Sequence, residues 1–237
     1  NRVFRRRLTA TVWGAWREAI NVNQATAEGD IPYRGAADWA RLAKGSDGQI
    51  LKLVAGIPAW ATESSRVLLA TKTASASATL DFTEFNNAVY RRYEFELENV
   101  KPATDNIDLY MRTSTDSGAS YDAGASDYAY GSSGTSAGSA TQTASAAATA
   151  IQINTAVAIG NAASEYGVSG EIVLTGAPSV SVFTEMRGHW TYWNTAGAMV
   201  QVAGGGARLS AADVDAVRFL FSSGNITSGT IRMYGVI

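Results

Sequence analysis

The 237-residue chain contains no cysteine, which excludes disulfide bonds, thiol nucleophiles and cysteine-ligated metal sites. Its 19 basic and 21 acidic residues give a net charge of −2, without the basic stripe that a nucleic-acid-binding protein carries. Only 17% of the residues are charged, which is low for a soluble monomer and favours a protein that buries much of its surface in an assembly.

The first zone of the chain, residues 1–65, is too short and too interrupted by turn signals to form a core of its own. Its basic run at residues 5–7 is interpreted as a solvated or interface-facing arm rather than as a nucleic-acid contact. Residues 11–20 have apolar side chains at helical spacing and predict a short helix. No stretch is apolar enough to insert into a membrane, and the N-terminus lacks the apolar part of a secretory signal.

Residues 29–61 alternate short apolar pieces with turn signals, and Gln49–Val54 has the pattern of a strand. Large apolar side chains are nevertheless frequent in this coreless segment. Because such side chains need a surface to bury against, we expect another subunit to provide it. The residues predicted to form this subunit interface are Tyr33, Trp39, Leu42, Leu53 and Trp60.

The second zone, residues 66–237, shows the alternation of apolar and polar residues that is typical of strands. Tyr93, Phe95 and Leu97 share one face of a predicted strand, and the three glutamates that alternate with them share the other. A long strand is predicted over residues 180–193, and a C-terminal hairpin turns at residues 222–225. The pattern predicts a mainly β fold: an antiparallel, jelly-roll-like β-sandwich preceded by an extended N-terminal attachment segment.

Residues 114–150 interrupt this zone with a sequence rich in Ser, Ala, Gly and Thr, which predicts a flexible insertion. Tyr121, Tyr128 and Tyr130 stand among these small residues. Large flat side chains among small ones are typical of adaptable binding loops. The alternative is a long loop held in place by tyrosines that pack on the sandwich.

A catalytic or metal-binding arrangement is not evident in the sequence. His189 is the sole histidine, and Glu185, four residues earlier, is too distant along a strand to act with it. The carboxylates include no pair marked out for glycoside cleavage, and the aspartates at 116, 122 and 127 lack EF-hand spacing. The sequence therefore predicts a protein that is not an enzyme and that has no cofactor or metal.

The segment GDIPYRGAADWARLAKGSDGQILKLVAGIPAWA, residues 29–61, closely resembles a segment common in the tail fibres, head fibres and related virion appendages of tailed bacteriophages. The shared pattern is Gly-Asp-Ile/Leu-x-Tyr-Arg, Gly-Trp-x-Arg-Leu, Gly-x-Asp-Gly-Gln-Val-Leu and Gly-x-Pro-x-Trp. This chain departs from it at Asp38, where glycine is usual, and at Ile50. Residues 219–237 also resemble the C-terminal hairpin of sandwich domains in such fibres.

The resemblance implies a homotrimeric virion protein that is assembled in the host cytoplasm and exposed on the particle exterior. Its N-terminal segment would bind other virion proteins, and its sandwich would project and contact a host polysaccharide or protein. No catalytic residue follows from the resemblance. The alternatives are a decoration or collar protein without a receptor, and a polysaccharide depolymerase.

Aromatic side chains stack on sugars and contribute strongly to interfaces, so they are the natural candidates for host recognition. The alternative for the two tryptophans among them is a place in the core or at a trimer interface. The predicted recognition residues are Tyr121, Tyr128, Tyr130, Trp190 and Trp193.

Overall fold

The structure, a computed structural model, describes residues 27–62 and 66–237, together with the backbone of four short strands before them. In these four, β1 pairs with β4 and β2 with β3, all antiparallel. They are β1 (Phe4–Arg5), β2 (Leu8–Thr9), β3 (Val12–Trp13) and β4 (Arg17–Glu18). Within residues 11–20, where a short helix is predicted, Val12–Trp13 and Arg17–Glu18 are strands, so the prediction is wrong for these residues. The rest of that range, and the side chains of the run at 5–7, lie outside the described residues.

The chain divides into two compact units, Asn1–Glu63 and Ser64–Ile237, close to the division expected at residue 65. In the first unit, β5 (Ile31–Arg34) and β6 (Trp39–Leu42) form one antiparallel hairpin. A second hairpin joins β7 (Gln49–Val54) to β8 (Ile57–Thr62). Its two-residue loop, Ala55 and Gly56, has φ angles of 49° and 81°, and a tight hairpin turn of this kind requires positive φ at both positions.

The second unit, as described from residue 66 onward, consists of two antiparallel sheets that face each other. The larger has eight strands in the order β14-β13-β18-β17-β16-β11-β20-β9, and the smaller has four in the order β10-β19-β12-β15. The strands are β9 (Arg66–Thr73), β10 (Leu80–Phe82), β11 (Arg92–Pro102), β12 (Leu109–Ser114), β13 (Tyr128–Ser136), β14 (Ser139–Ala148), β15 (Ile151–Gln152), β16 (Val168–Thr175), β17 (Glu185–Trp193), β18 (Met199–Arg208), β19 (Ala216–Phe221) and β20 (Ile226–Val236). The predicted mainly β, antiparallel, sandwich-type fold is confirmed.

The segment predicted to be a flexible insertion is instead largely β-sheet. Within residues 114–150, β13 and β14 form a hairpin at one edge of the large sheet, paired from Ser136–Ser139 to Tyr130–Ser145. Strand pairing needs only backbone donors and acceptors, so small side chains do not prevent it. Buried Tyr128 fixes the start of the hairpin on the core, and its hydroxyl accepts a hydrogen bond from the backbone N–H of Thr113 (2.8 Å).

The core lies between the sheets, where a cluster of three phenylalanines joins them. Phe95 of the large sheet packs edge-on against Phe82 and Phe219 of the small sheet, with ring centroids 5.4 Å away in both cases. All three rings are fully buried. Edge-to-face packing adds to the free energy of apolar burial, by about 0.5–1.5 kcal/mol per pair.

We expect Phe95→Ala to lower the free energy of unfolding by about 3–5 kcal/mol, since it removes one ring from two aromatic contacts and leaves a cavity between the sheets. Leu68→Ala on β9, where the side chain is 52% exposed, is the matched control and should change stability by less than about 0.5 kcal/mol. Chemical denaturation followed by tryptophan fluorescence measures both. Equal, small effects would contradict the role of this cluster.

Candidate functional site

Several residues of the N-terminal motif build the turns of the first unit. The Asp30 carboxylate accepts hydrogen bonds from the backbone N–H groups of Ala27 (2.8 Å) and Lys44 (3.0 Å), and lies 3.5 Å from the Arg41 guanidinium. The Asp30 side chain is only 1% exposed, and these partners satisfy its charge. Asp30 therefore ties the start of β5 to the segment that follows β6.

Trp60 is fixed within its own unit. Its indole N–H donates to the backbone carbonyl of Ala43 (2.7 Å), and its ring covers Gly45. A Cβ at position 45 would lie 2.7 Å from the ring, so only glycine fits there. The contact between Gly45 and Trp60 thus explains why the motif has glycine at one position and tryptophan at the other.

The β7–β8 hairpin exposes apolar side chains on both of its faces. Strand register places Leu51 and Leu53 on the same face as Trp60, while Ile50, Val54 and Ile57 lie on the opposite face. The exposed fractions are 48% for Leu51, 69% for Leu53, 39% for Ile50, 50% for Val54 and 53% for Ile57. Clustered apolar exposure of this kind marks an interaction surface.

The five predicted interface residues do not form one surface. Tyr33 and Leu42 share one face of the β5–β6 hairpin and Trp39 lies on the other, whereas Leu53 and Trp60 belong to the second hairpin. Four are partly buried within the chain, and Leu53 is the exposed member. The prediction missed Ile50, Leu51, Val54 and Ile57. An uninterrupted apolar strand followed by an Ala-Gly turn is the signal that could have identified them.

In the sandwich, two of the five predicted recognition residues are buried and the prediction is wrong for them. Tyr128 is 0% exposed and Trp190 is 3% exposed, and both belong to the core. Sequence alternation shows which side chains share a face, and these two share the inner face. The alternative considered for Trp190, a core position, is the one observed.

The other three predicted recognition residues are partly exposed. Burial raises the pKa of Tyr121 to about 12, and the Arg218 guanidinium lies 4.0 Å from its ring centre. The Tyr130 hydroxyl donates to Gln152 (3.1 Å). Trp193 stands on the outer face of the large sheet directly opposite Met199, which is 53% exposed. Trp193 and Met199 therefore form the apolar end of this outer face.

The outer face of the large sheet is charged on one half and uncharged on the other. On β9, β20 and β11, Arg66 pairs with Glu94 and Arg232 with Glu98, each at 2.8 Å. Glu171 of β16 stands directly opposite Glu96 on one side and His189 on the other. Like charges directly opposite each other in a sheet are destabilising. This cross-strand arrangement was not foreseen, because it depends on strand order.

The other half of this face, on β18, β13 and β14, carries no charged side chain. An open depression of about 500 Å³ lies over Gly131, Ser133, Gln142, Ala144 and Ala203. A second, of about 330 Å³, is bordered by Glu171, Arg187 and His189. Among the residues that the structure describes, no group of three or more His, Cys, Asp or Glu side chains could hold a metal ion.

A third open depression lies beside an apolar loop that joins β16 to β17. Val180, Val182 and Phe183 are 74%, 55% and 48% exposed there, and the depression of about 490 Å³ also borders Thr175 and Glu185. The strand predicted over residues 180–193 begins only at Glu185. The first residues of that prediction therefore form an exposed apolar loop instead of an inward-facing strand.

In the described part of the chain, no helix has the length and hydropathy needed to cross a membrane. Comparison of the chain with protein-family models, with curated proteins and with solved structures gives no match.

The turn after β12 supplies a pH-dependent element. The Asp116 carboxylate accepts hydrogen bonds from the Ser120 hydroxyl (2.6 Å), the Ser114 hydroxyl (2.7 Å) and the Ser120 N–H (2.9 Å). These bonds to the charged form lower the pKa of Asp116 to about 2. Because the pKa is lower in the folded state, the stabilisation is present above about pH 4 and is lost as the pH falls towards 2.

We therefore expect Asp116→Asn to be less stable than the parent protein at pH 7, with a difference that shrinks between about pH 4 and pH 2. Denaturation midpoints measured over this range test it, with the exposed Glu185→Gln as control. A stability difference that stays constant down to pH 2 would show that the charge of Asp116 is not the cause.

Proposed function

We propose that this chain is a fibre or spike subunit of a tailed-bacteriophage virion. In this proposal its first unit assembles copies of the chain and attaches them to other virion proteins, and its sandwich projects from the particle. One observation carries the proposal: the β7–β8 hairpin exposes large apolar side chains on both faces, while the sandwich encloses a complete core. The N-terminal motif adds the resemblance to virion appendages.

The two faces of the hairpin favour a ring of copies over a two-fold dimer. One face carries Leu51, Leu53 and Trp60, and the other carries Ile50 and Val54 on either side of Lys52, so the faces are not equivalent. A two-fold contact joins identical surfaces and would leave one face exposed. A head-to-tail contact joins unlike surfaces and closes into a ring, in which every hairpin has two neighbours. The resemblance sets the number of copies at three, the expected homotrimer.

The sandwich supports the receptor-contacting part of the proposal through its surface rather than through a reactive site. Trp193 is partly exposed beside Met199, and the neighbouring half of the outer face is uncharged and carries an open depression. An aromatic ring beside small polar residues suits contact with a sugar or with a protein loop. The proposed ligand is a polysaccharide or protein of the host surface, and the proposed location is the particle exterior.

The assembly is tested with one lysine on each face of the hairpin. We expect Leu53→Lys and Val54→Lys each to convert a trimer into monomers, because either change places a charge in the same head-to-tail contact. Ser46→Lys, in the exposed turn before β7, is the matched control and should remain trimeric. Sedimentation equilibrium of the full chain gives the masses. A parent protein that is monomeric at micromolar concentration would refute the proposed assembly. Disruption of the assembly by only one of the two hairpin variants would indicate a two-fold contact.

Receptor contact is tested by sedimenting the full chain with bacterial envelopes and with purified surface polysaccharides. We expect saturable binding to some of them, weakened roughly tenfold or more by Trp193→Ala, since a central aromatic contact is worth about 2 kcal/mol. Leu68→Ala, on the edge strand β9 four strands away from β17 in the same sheet, should bind like the parent.

Absence of binding across the panel would favour a decoration or collar protein without a receptor. Sustained release of reducing ends from a polysaccharide would instead identify a depolymerase and overturn the non-enzymatic proposal.

A further inference from the structure

We propose that the free edge of β14 is a second contact between copies of this chain, in which β14 pairs antiparallel with β14 of another copy across a two-fold axis. This contact involves the sandwich alone, so it stands independently of the function proposed above.

The edge is available for pairing. In the described part of the chain, β14 has β13 as its single neighbour in the sheet. The β13–β14 register is uninterrupted from Ser139 to Ser145. Half of the backbone N–H and C=O groups of an edge strand point away from the sheet, where they form a template for another strand.

This edge lacks the features that normally prevent such pairing. Ser139–Ala148, with the sequence SATQTASAAA, contains no charged residue and no proline. The opposite edge of the same sheet, β9, carries Arg66 and Lys72 and a register shift against β20. Charges and bulges are the usual protection of an edge strand. One edge is therefore protected and the other is open.

The side chains of β14 are small on both faces of the sheet. Ala140, Gln142 and Ala144 lie on the outer face, while Thr141 and Thr143 lie on the inner face. A neighbouring strand can lie about 4.8 Å away without steric obstruction from these side chains. The irregular end of the strand limits the contact, since the backbone N–H of Ala147 is already bound to the Ser145 hydroxyl (3.3 Å). The pairing region is thus residues 139–145.

A second copy is the occupant that fits this edge best. Because the strand is uncharged, two copies approach without electrostatic repulsion. The protected β9 edge of another copy fits less well, because its charges and bulge would face this flat strand. A pairing about seven residues long buries much less area than a standard stable interface, so we expect it to be weak in dilute solution and to need a high local concentration.

The symmetry of this contact gives it a specific signature. Antiparallel pairing of identical strands places the two-fold axis normal to the sheet, so both copies present the same faces. Opposite residues then have position numbers with a constant, even sum. One residue of the pairing region must therefore lie directly opposite its own copy.

Single cysteines test this signature, because the chain has no native cysteine. Each position from 139 to 145 is changed to cysteine in the full chain, and disulfide-linked dimers are measured after mild oxidation at high protein concentration. We expect one position to give a maximum yield, with positions two residues away at least about tenfold lower. Far-UV circular dichroism verifies that each variant is folded. Ser133→Cys is the control for random collision, because Ser133 lies opposite Gln142 on the neighbouring strand β13 and not at the edge of the sheet.

A second pair of variants tests the cause of any cross-link. Ala140→Lys, or Ala144→Lys where position 140 gives the maximum, places a charge on the edge and should abolish the maximum, whereas Ser133→Lys on the neighbouring strand should leave it unchanged. Equal yields at all positions, or yields no greater than the Ser133→Cys control, would overturn the proposal. Cross-linking of a β14 cysteine only to a cysteine at Thr71 on β9 would do so too, because it would indicate head-to-tail pairing of the two edges.

Discussion

The sandwich depends on the contact between the two sheets at Phe95, Phe82 and Phe219. These rings come from three strands that are distant in sequence, and each pair packs edge to face. The same inner faces continue outward through aliphatic side chains such as Ile172 and Met233, which are 0% exposed. The strands that carry these buried side chains are positioned by this interior, which also determines which of their side chains point to the outer face.

Buried polar contacts add to the apolar packing of the interior. Asn154 is fully buried, and its side chain accepts from the backbone N–H of Leu109 (3.0 Å) and donates to Asp108 (2.6 Å). The Tyr192 hydroxyl donates to the carbonyl of Val157 (2.6 Å). Buried polar groups are stabilising only when they are paired in this way. Together with the buried side chains of Ile153 and Ile159, these bonds hold the segment between β15 and β16 against the sheets.

The two units differ in how far they bury their apolar side chains. The sandwich buries its own, so it can present exposed loops and an open sheet edge without loss of its core. The first unit has one hairpin, β7–β8, with exposed apolar side chains on both faces, so its stability depends on what covers them. This difference links the fold to the proposed assembly, in which the first unit would be covered by other copies and the sandwich would be exposed.

The sequence by itself determined the antiparallel sandwich and the individual half-buried strands. The alternation in β11 was decisive, because apolar and charged side chains there face opposite environments. It did not determine the β13–β14 hairpin, since strands of Ser, Ala, Gly and Thr lack that contrast. Nor did it determine whether Tyr128 and Trp190 face the core. Alternation along a strand shows which side chains share a face, but not which of the two faces is buried. Only the tertiary structure decided these points, together with the open edge of β14 and the opposed Glu96, Glu171 and His189, because all of them depend on which strands become neighbours.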